Sequence, residues 1–83
     1  MAKLKYYSQA WCILFDMVHH KMEYTPFIAF RLYGCCSLQQ RIWELQQHGL
    51  VIDNLRKGNG HAIYALRRMK RNLEKARRML ARC

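Results

Sequence analysis

Gln39, Gln40 and Gln47, interleaved with Ser37 and Trp43, are the side chains whose chemistry and spacing best suit reading a patterned polar surface. A glutamine amide donates and accepts at once, so it matches the N6/N7 edge of adenine in a major groove. Away from a DNA-binding unit, the same residues would form an ordinary solvated helix face. Trp43 could pack on sugars and thymine methyl groups, anchor a protein interface, or fold back onto the domain. Arg41 suits a phosphate or an acid such as Glu44 equally well, since a guanidinium serves both bidentate uses. Arg56, Lys57 and His61, followed by Arg67 and Arg71, are cations placed to neutralise a nucleic-acid backbone. Lysines on a strand edge also protect a sheet from aggregation, and the two effects can act together.

Other chemistries find less support. The acids Asp16, Glu23, Glu44, Asp53 and Glu74 are scattered, with no glycine-rich phosphate loop and no pairing of nucleophile and base, so a non-enzyme is expected. His19, His20, Cys35 and Cys36 are adjacent pairs that point apart on helices and lack a C-x2-C loop, so neither a metal nor a cofactor is expected.

The whole chain must build the frame for these side chains from 83 residues, enough for one domain that buries roughly 60% of its unfolded surface. Hydrophobic residues make up 52% of it, which argues for a folded core and against a disordered basic tail. Its net charge of +10, from 15 Lys and Arg against 5 Asp and Glu, concentrates anions around it. Double-stranded DNA is the first partner that field suggests; an anionic membrane surface or an acidic protein would answer it too. Cys12, Cys35, Cys36 and Cys83 form no disulfide framework, so a reducing, cytoplasmic setting is expected. The apolar run Ala10 to Phe15 stops at Asp16, far short of the roughly 20 residues of a bilayer span. Neither a signal peptide nor a membrane helix is expected.

Tyr7, Ala10, Trp11, Leu14, Phe15 and Val18 share one helical face, predicting a first helix from Ser8 to His20 with Gln9, Asp16 and His19 facing water. Met22 to Tyr24 suits a brief strand. Thr25 and Pro26 have the right chemistry to cap and open a second helix, which Gly34 ends after Tyr33. Ser37 and Gln40 form a capping-box pattern for a third helix, with Leu38, Ile42 and Leu45 buried and Gly49 as its stop. Its opposite face carries Gln40, Trp43 and Gln47, flanked by Ser37, Gln39 and Glu44.

Leu50 to Lys57 and His61 to Leu66 read as antiparallel strands around Gly58, Asn59 and Gly60, with Leu50, Ile52, Ala62, Tyr64 and Leu66 inward. Residues Arg67 to Cys83 hold eight basic groups and one acid. Leu66, Met69, Leu73, Ala76 and Leu80 there have heptad-seam spacing, while Arg67, Arg71, Lys75, Arg78 and Arg82 lie on the other side. That seam would suit a homodimer, a DNA backbone lying against its basic side, or packing on the chain's own core.

Thr25-Pro26 before an apolar helix with Ala29, then Tyr33-Gly34, Leu38-x-x-Arg41-Ile42-x-x-Leu45, Gly49 and Ile52, resembles the small winged helix-turn-helix domains of bacteriophages and prophages. Tyr64-x-Leu66 is similar to the family's closing strand. The likeness covers Ser8 to Leu66. It implies a winged helix-turn-helix over 1–66, in a mainly α fold with a small antiparallel β-hairpin (α+β); the added basic C-terminal helix over 67–83 is expected from its own spacing and charge. It also implies a phage or bacterial transcriptional regulator whose helix from Ser37 to His48 enters the major groove. In that use Ser37, Gln39, Gln40, Trp43 and Gln47 meet bases, and the wing meets the neighbouring backbone or minor groove. Trp43 is bulkier than such proteins usually place there, and the last helix runs past the usual domain end. Both features leave room for an alternative, a small phage-encoded inhibitor or adaptor, such as an anti-CRISPR factor, that grips an acidic protein or nucleoprotein. An architectural protein that binds DNA without sequence preference is a third reading.

Overall fold

A computed structural model describes residues 8–55 and 62–81. The elements run α1 (Gln9–His19), α2 (Pro26–Tyr33), α3 (Leu38–Gln47), β1 (Ile52–Asn54), β2 (Tyr64–Leu66) and α4 (Lys70–Ala81). The fold is mainly helical with a small antiparallel two-strand sheet. Arg56, Lys57 and His61, the turn Gly58 to Gly60, Tyr7, Arg82 and Cys83 lie outside the described residues.

Local chemistry sets most of the boundaries. The Ser8 hydroxyl accepts from the Trp11 amide, and the Thr25 hydroxyl accepts from the Ile28 amide with Pro26 opening α2. Each satisfies an amide that the first turn of a helix leaves orphaned. Gly34 ends α2 at φ 64, and its N–H caps the carbonyls of Ala29 and Phe30. Left-handed backbone of this kind favours a residue without Cβ.

Ser37 occupies the cap position of α3 but makes no side-chain cap bond. Its ψ of 63 departs from the extended conformation that aims a cap hydroxyl at the first turn, so the expected capping box with Gln40 does not form. The expected strand at Met22 to Tyr24 reduces to a single bridge, Tyr24 to Tyr64, closed by two 2.8 Å backbone bonds.

In the sheet, Ile52 faces Leu66, Asp53 faces Ala65 and Asn54 faces Tyr64. Leu50, Ile52 and Leu66 are buried together with Ile13, Leu14, Ile42 and Leu45, so helices and hairpin share one core. The last helix belongs to that core. Ala76 and Leu80 are buried in it, and the Trp11 indole donates to the Leu80 carbonyl at 3.2 Å. The segment expected to be helical from Arg67 instead begins its helix at Lys70, leaving Met69 exposed in the approach to it. Seam residues Leu66, Ala76 and Leu80 are thereby covered by the chain itself.

Two polar side chains fasten the last helix. Asn72, buried in the seam, accepts from the Val51 amide at 2.9 Å and donates to the Val51 carbonyl at 2.9 Å. Its amide thus supplies the two bonds that a neighbouring strand would give, and it also donates to the Arg67 carbonyl at 2.8 Å. Arg68 donates to the Met17 carbonyl at 2.8 Å, where the end of α1 carries unpaired carbonyls and the negative end of its dipole.

Asp16, expected to face water, is only 8% exposed. The phenols of Tyr24 and Tyr33 both donate to its Oδ2, which satisfies a carboxylate inside an apolar cluster. Gln9, also expected in water, donates to the Tyr33 carbonyl at 3.3 Å. Burial first, and the hydrogen bond to Asp16 second, push the Tyr33 phenol from its ordinary 10.0 up to about 12. The same causes raise Tyr24. A folded-state value above the unfolded one gives stability that is complete below pH 10 and is lost as pH rises through about 12. Thermal midpoints measured across that range should therefore fall, with phenolate absorption rising alongside unfolding; Tyr33→Phe should flatten the slope. A midpoint that ignores pH in this window would count against a protonated phenol as part of the fold.

Candidate nucleic-acid interface

The turn from Gly34 to Ser37 joins α2 to α3, and three buried anchors, Leu38, Ile42 and Leu45, fix the rotation of α3 about its axis. At about 100° per residue those anchors turn the other side of the helix outward. Ser37, Gln39, Gln40 and Gln47 are exposed, and Trp43 is 54% exposed. All five side chains expected to meet bases are therefore on the surface, four on α3 and Ser37 at its cap. Ser37, Gln39, Gln40 and Trp43 also line an open groove of about 630 Å³ beside Pro26, at the N-terminal end of α3. Gln46, adjacent to this face, is committed to the fold through a bond to the Ile52 carbonyl at 3.3 Å.

The expected backbone contacts divide differently. Arg41 pairs with Glu44 at 3.0 Å, the second of the two uses expected of it. Arg67 grips Asp53 with two bonds, Nε to Oδ2 at 3.1 Å and Nη2 to Oδ1 at 2.7 Å. That hydrogen bond, reinforced by the opposite charge, raises the Arg67 pKa. Arg67 thus spends its fork on Asp53, and Arg41 spends Nη2 on Glu44 while its buried Nε has no hydrogen-bond partner among the described residues. Arg71, by contrast, is exposed and forms no ion pair among the described residues.

One feature escaped the sequence. Phe27 is 67% exposed and Phe30 is 59% exposed, on the outward side of α2. Nearly every position of α2 is apolar, so periodicity could not separate the inward from the outward side; the surplus of large apolar groups was the available signal. Arg71, Lys75 and Arg78, expected on the basic side of the last segment, do share one side of α4, and the structure adds that this row faces the turn after α3.

Among the described residues, no three His, Cys, Asp or Glu groups assemble as a metal cluster, and Cys35 is buried while Cys36 is exposed. No described helix is long and apolar enough to cross a membrane. No protein family, curated protein or solved structure matches the chain.

Proposed function

We propose that the chain binds double-stranded DNA as a winged helix-turn-helix protein, with α3 reading the major groove and cations on either side holding phosphates. The observation that carries the reading is the outward face of α3, where Gln39, Gln40 and Gln47 stand exposed on a helix locked in rotation by Leu38, Ile42 and Leu45. Amides free of the fold can exchange water for base edges, and a locked helix presents them in one register. The net charge of +10 would steer the encounter and supply the sequence-independent share of affinity. A role as a phage or bacterial transcriptional regulator follows from the family resemblance.

The test is selection of bound duplexes from a random pool, followed by Gln40→Ala. A preferred site should emerge from the wild type. The substitution should lower discrimination at one base position by about 1–3 kcal/mol, the worth of a bidentate amide contact, while leaving the melting curve unchanged. Equal loss on preferred and random duplexes would reject base reading by Gln40. An absence of any enriched site would leave the architectural reading instead.

A second reading has its own observation. Phe27, Phe30 and Trp43 are all more than half exposed, and such aromatics are favoured anchors of protein interfaces. They favour a small inhibitor or adaptor that binds an acidic protein or nucleoprotein. Affinity for such a partner without measurable affinity for duplex DNA at moderate salt would establish it over the first.

A further inference from the structure

At the C-terminal end of α3 the chain turns through Gly49, at φ 88, and α4 passes alongside. Two adjoining clefts open there and share Lys75 and Arg78. One is completed by Gly49 and Arg71, the other by His48. At about 100° per residue, Arg71, Lys75 and Arg78 fall within an arc of roughly 60°, and Glu74 lies outside it. The row borders the buried side of α4, where Asn72 and Ala76 hold the helix to the core.

Among the described residues these cations have no acid to neutralise them. The ion pairs there are Arg41 with Glu44 and Arg67 with Asp53, and Asp16 is taken by two phenols. Glu74, the acid of α4, pairs with none of them. Lys75 is seated over the bare backbone of Gly49, where an added Cβ would come within 2.6 Å of its Nζ. The dipole of α3 favours a cation at this end, which accounts for Lys75 alone. Arg71 and Arg78 at neighbouring turns of α4 only add repulsion, because like charges at this spacing oppose each other. A multiply charged anion would relieve that repulsion.

We infer that this cleft, built by Arg71, Lys75 and Arg78 with His48 at its edge, is a backbone clamp that takes consecutive phosphates of duplex DNA. The inference rests on the DNA-binding reading of α3 and adds to it a site on a different element. The three anchoring positions rise about 6 Å and then 4.5 Å along the helix axis, and long flexible side chains spread from them. The clamp therefore follows a phosphate row without reading sequence. It also gives α4 a use beyond covering the core.

The experiment compares wild type with the neutral pair Lys75→Gln/Arg78→Gln and the charge-preserving pair Lys75→Arg/Arg78→Lys. Binding to one preferred and one random duplex is followed over a series of salt concentrations, with melting curves for each protein. The neutral pair should lower the slope of log affinity against log salt by about 0.9 for each phosphate no longer neutralised, roughly 1.8 for two. It should weaken both duplexes by the same factor and melt close to wild type, since the repulsion removed offsets the dipole attraction lost at Lys75. The charge-preserving pair should keep the slope.

An unchanged slope in the neutral pair, with Gln40→Ala still reducing discrimination, overturns the clamp and leaves the reading of α3 standing. A neutral pair that melts lower while keeping the wild-type slope marks the row as structural and likewise overturns it. Failure of the wild type to bind any duplex removes both.

Discussion

Asp16→Ala is expected to cost about 4 kcal/mol of folding stability, because it leaves the buried phenols of Tyr24 and Tyr33 without their acceptor and each unsatisfied donor costs about 1–3 kcal/mol. The site lies in the core, where Tyr24 is completely buried, so water cannot easily replace the carboxylate. Against the 5–15 kcal/mol typical of a whole domain, such a loss is large. Chemical denaturation monitored by circular dichroism checks it through the shift in midpoint at constant slope. Asp16→Asn, which keeps the shape and one acceptor oxygen, should lose about half as much. A loss below about 1 kcal/mol for Asp16→Ala would mean that the phenols find other partners and that the network is not what joins these elements.

The reason for expecting so much from one carboxylate is its position between elements. Asp16 belongs to α1, Tyr33 is the last residue of α2, and Tyr24 is bridged to β2 through Tyr64. One oxygen thereby ties a helix to the element before the α2–α3 turn and to the hairpin. The orientation of α3 depends on the same framework, since α3 follows α2 after a short turn and Gln46 fastens it to β1. A variant that weakens the Asp16 network but remains folded should therefore loosen the presentation of Gln40 and Gln47 as well.

The elements were legible in the sequence where their determinants are local. Ser8, the Thr25-Pro26 pair, Gly34 and Gly49 each act within a few residues, and each marks a boundary that the structure places within one or two positions of the expectation. The outward face of α3 was legible too, because Leu38, Ile42 and Leu45 leave its rotation no alternative. Asp16 was not, because its partners lie 8 and 17 residues away on other elements and a lone acid on an amphipathic helix ordinarily meets water. Asn72 was hidden for the same reason. Its role depends on Val51, 21 residues distant, and an asparagine beside a heptad seam carries no mark of strand mimicry. The cations were visible as charge, but their division into occupied and free ones depends on Asp53 coming beside Arg67 across the hairpin. The exposed Phe27 and Phe30 were masked by the uniformly apolar composition of α2.

Trp43→Ala and Leu45→Ala, two positions apart on α3, are expected to fail in opposite ways. They lie about 200° apart around the helix, one indole 54% exposed and one leucine completely buried. Leu45→Ala should cost about 3 kcal/mol of stability through lost burial and the cavity left behind, and binding would weaken only as α3 loses its seat. Trp43→Ala should leave stability within about 0.5 kcal/mol yet reduce affinity for the true partner about 30-fold, the 2 kcal/mol that marks an interface anchor. The identity of that partner follows from which measurement moves. Loss on duplex DNA places the indole against sugars or thymine methyls beside the glutamines. Unchanged DNA affinity, with Phe27→Ser and Trp43→Ala together abolishing capture of an acidic protein, assigns the aromatic surface to protein recognition. A stability loss above about 2 kcal/mol for Trp43→Ala would contradict both, because an indole that props up the fold is not free to bind either. The pair is informative because α3 must be both a rigid part of the core and an open surface, and only separate failures of its two faces demonstrate that it is.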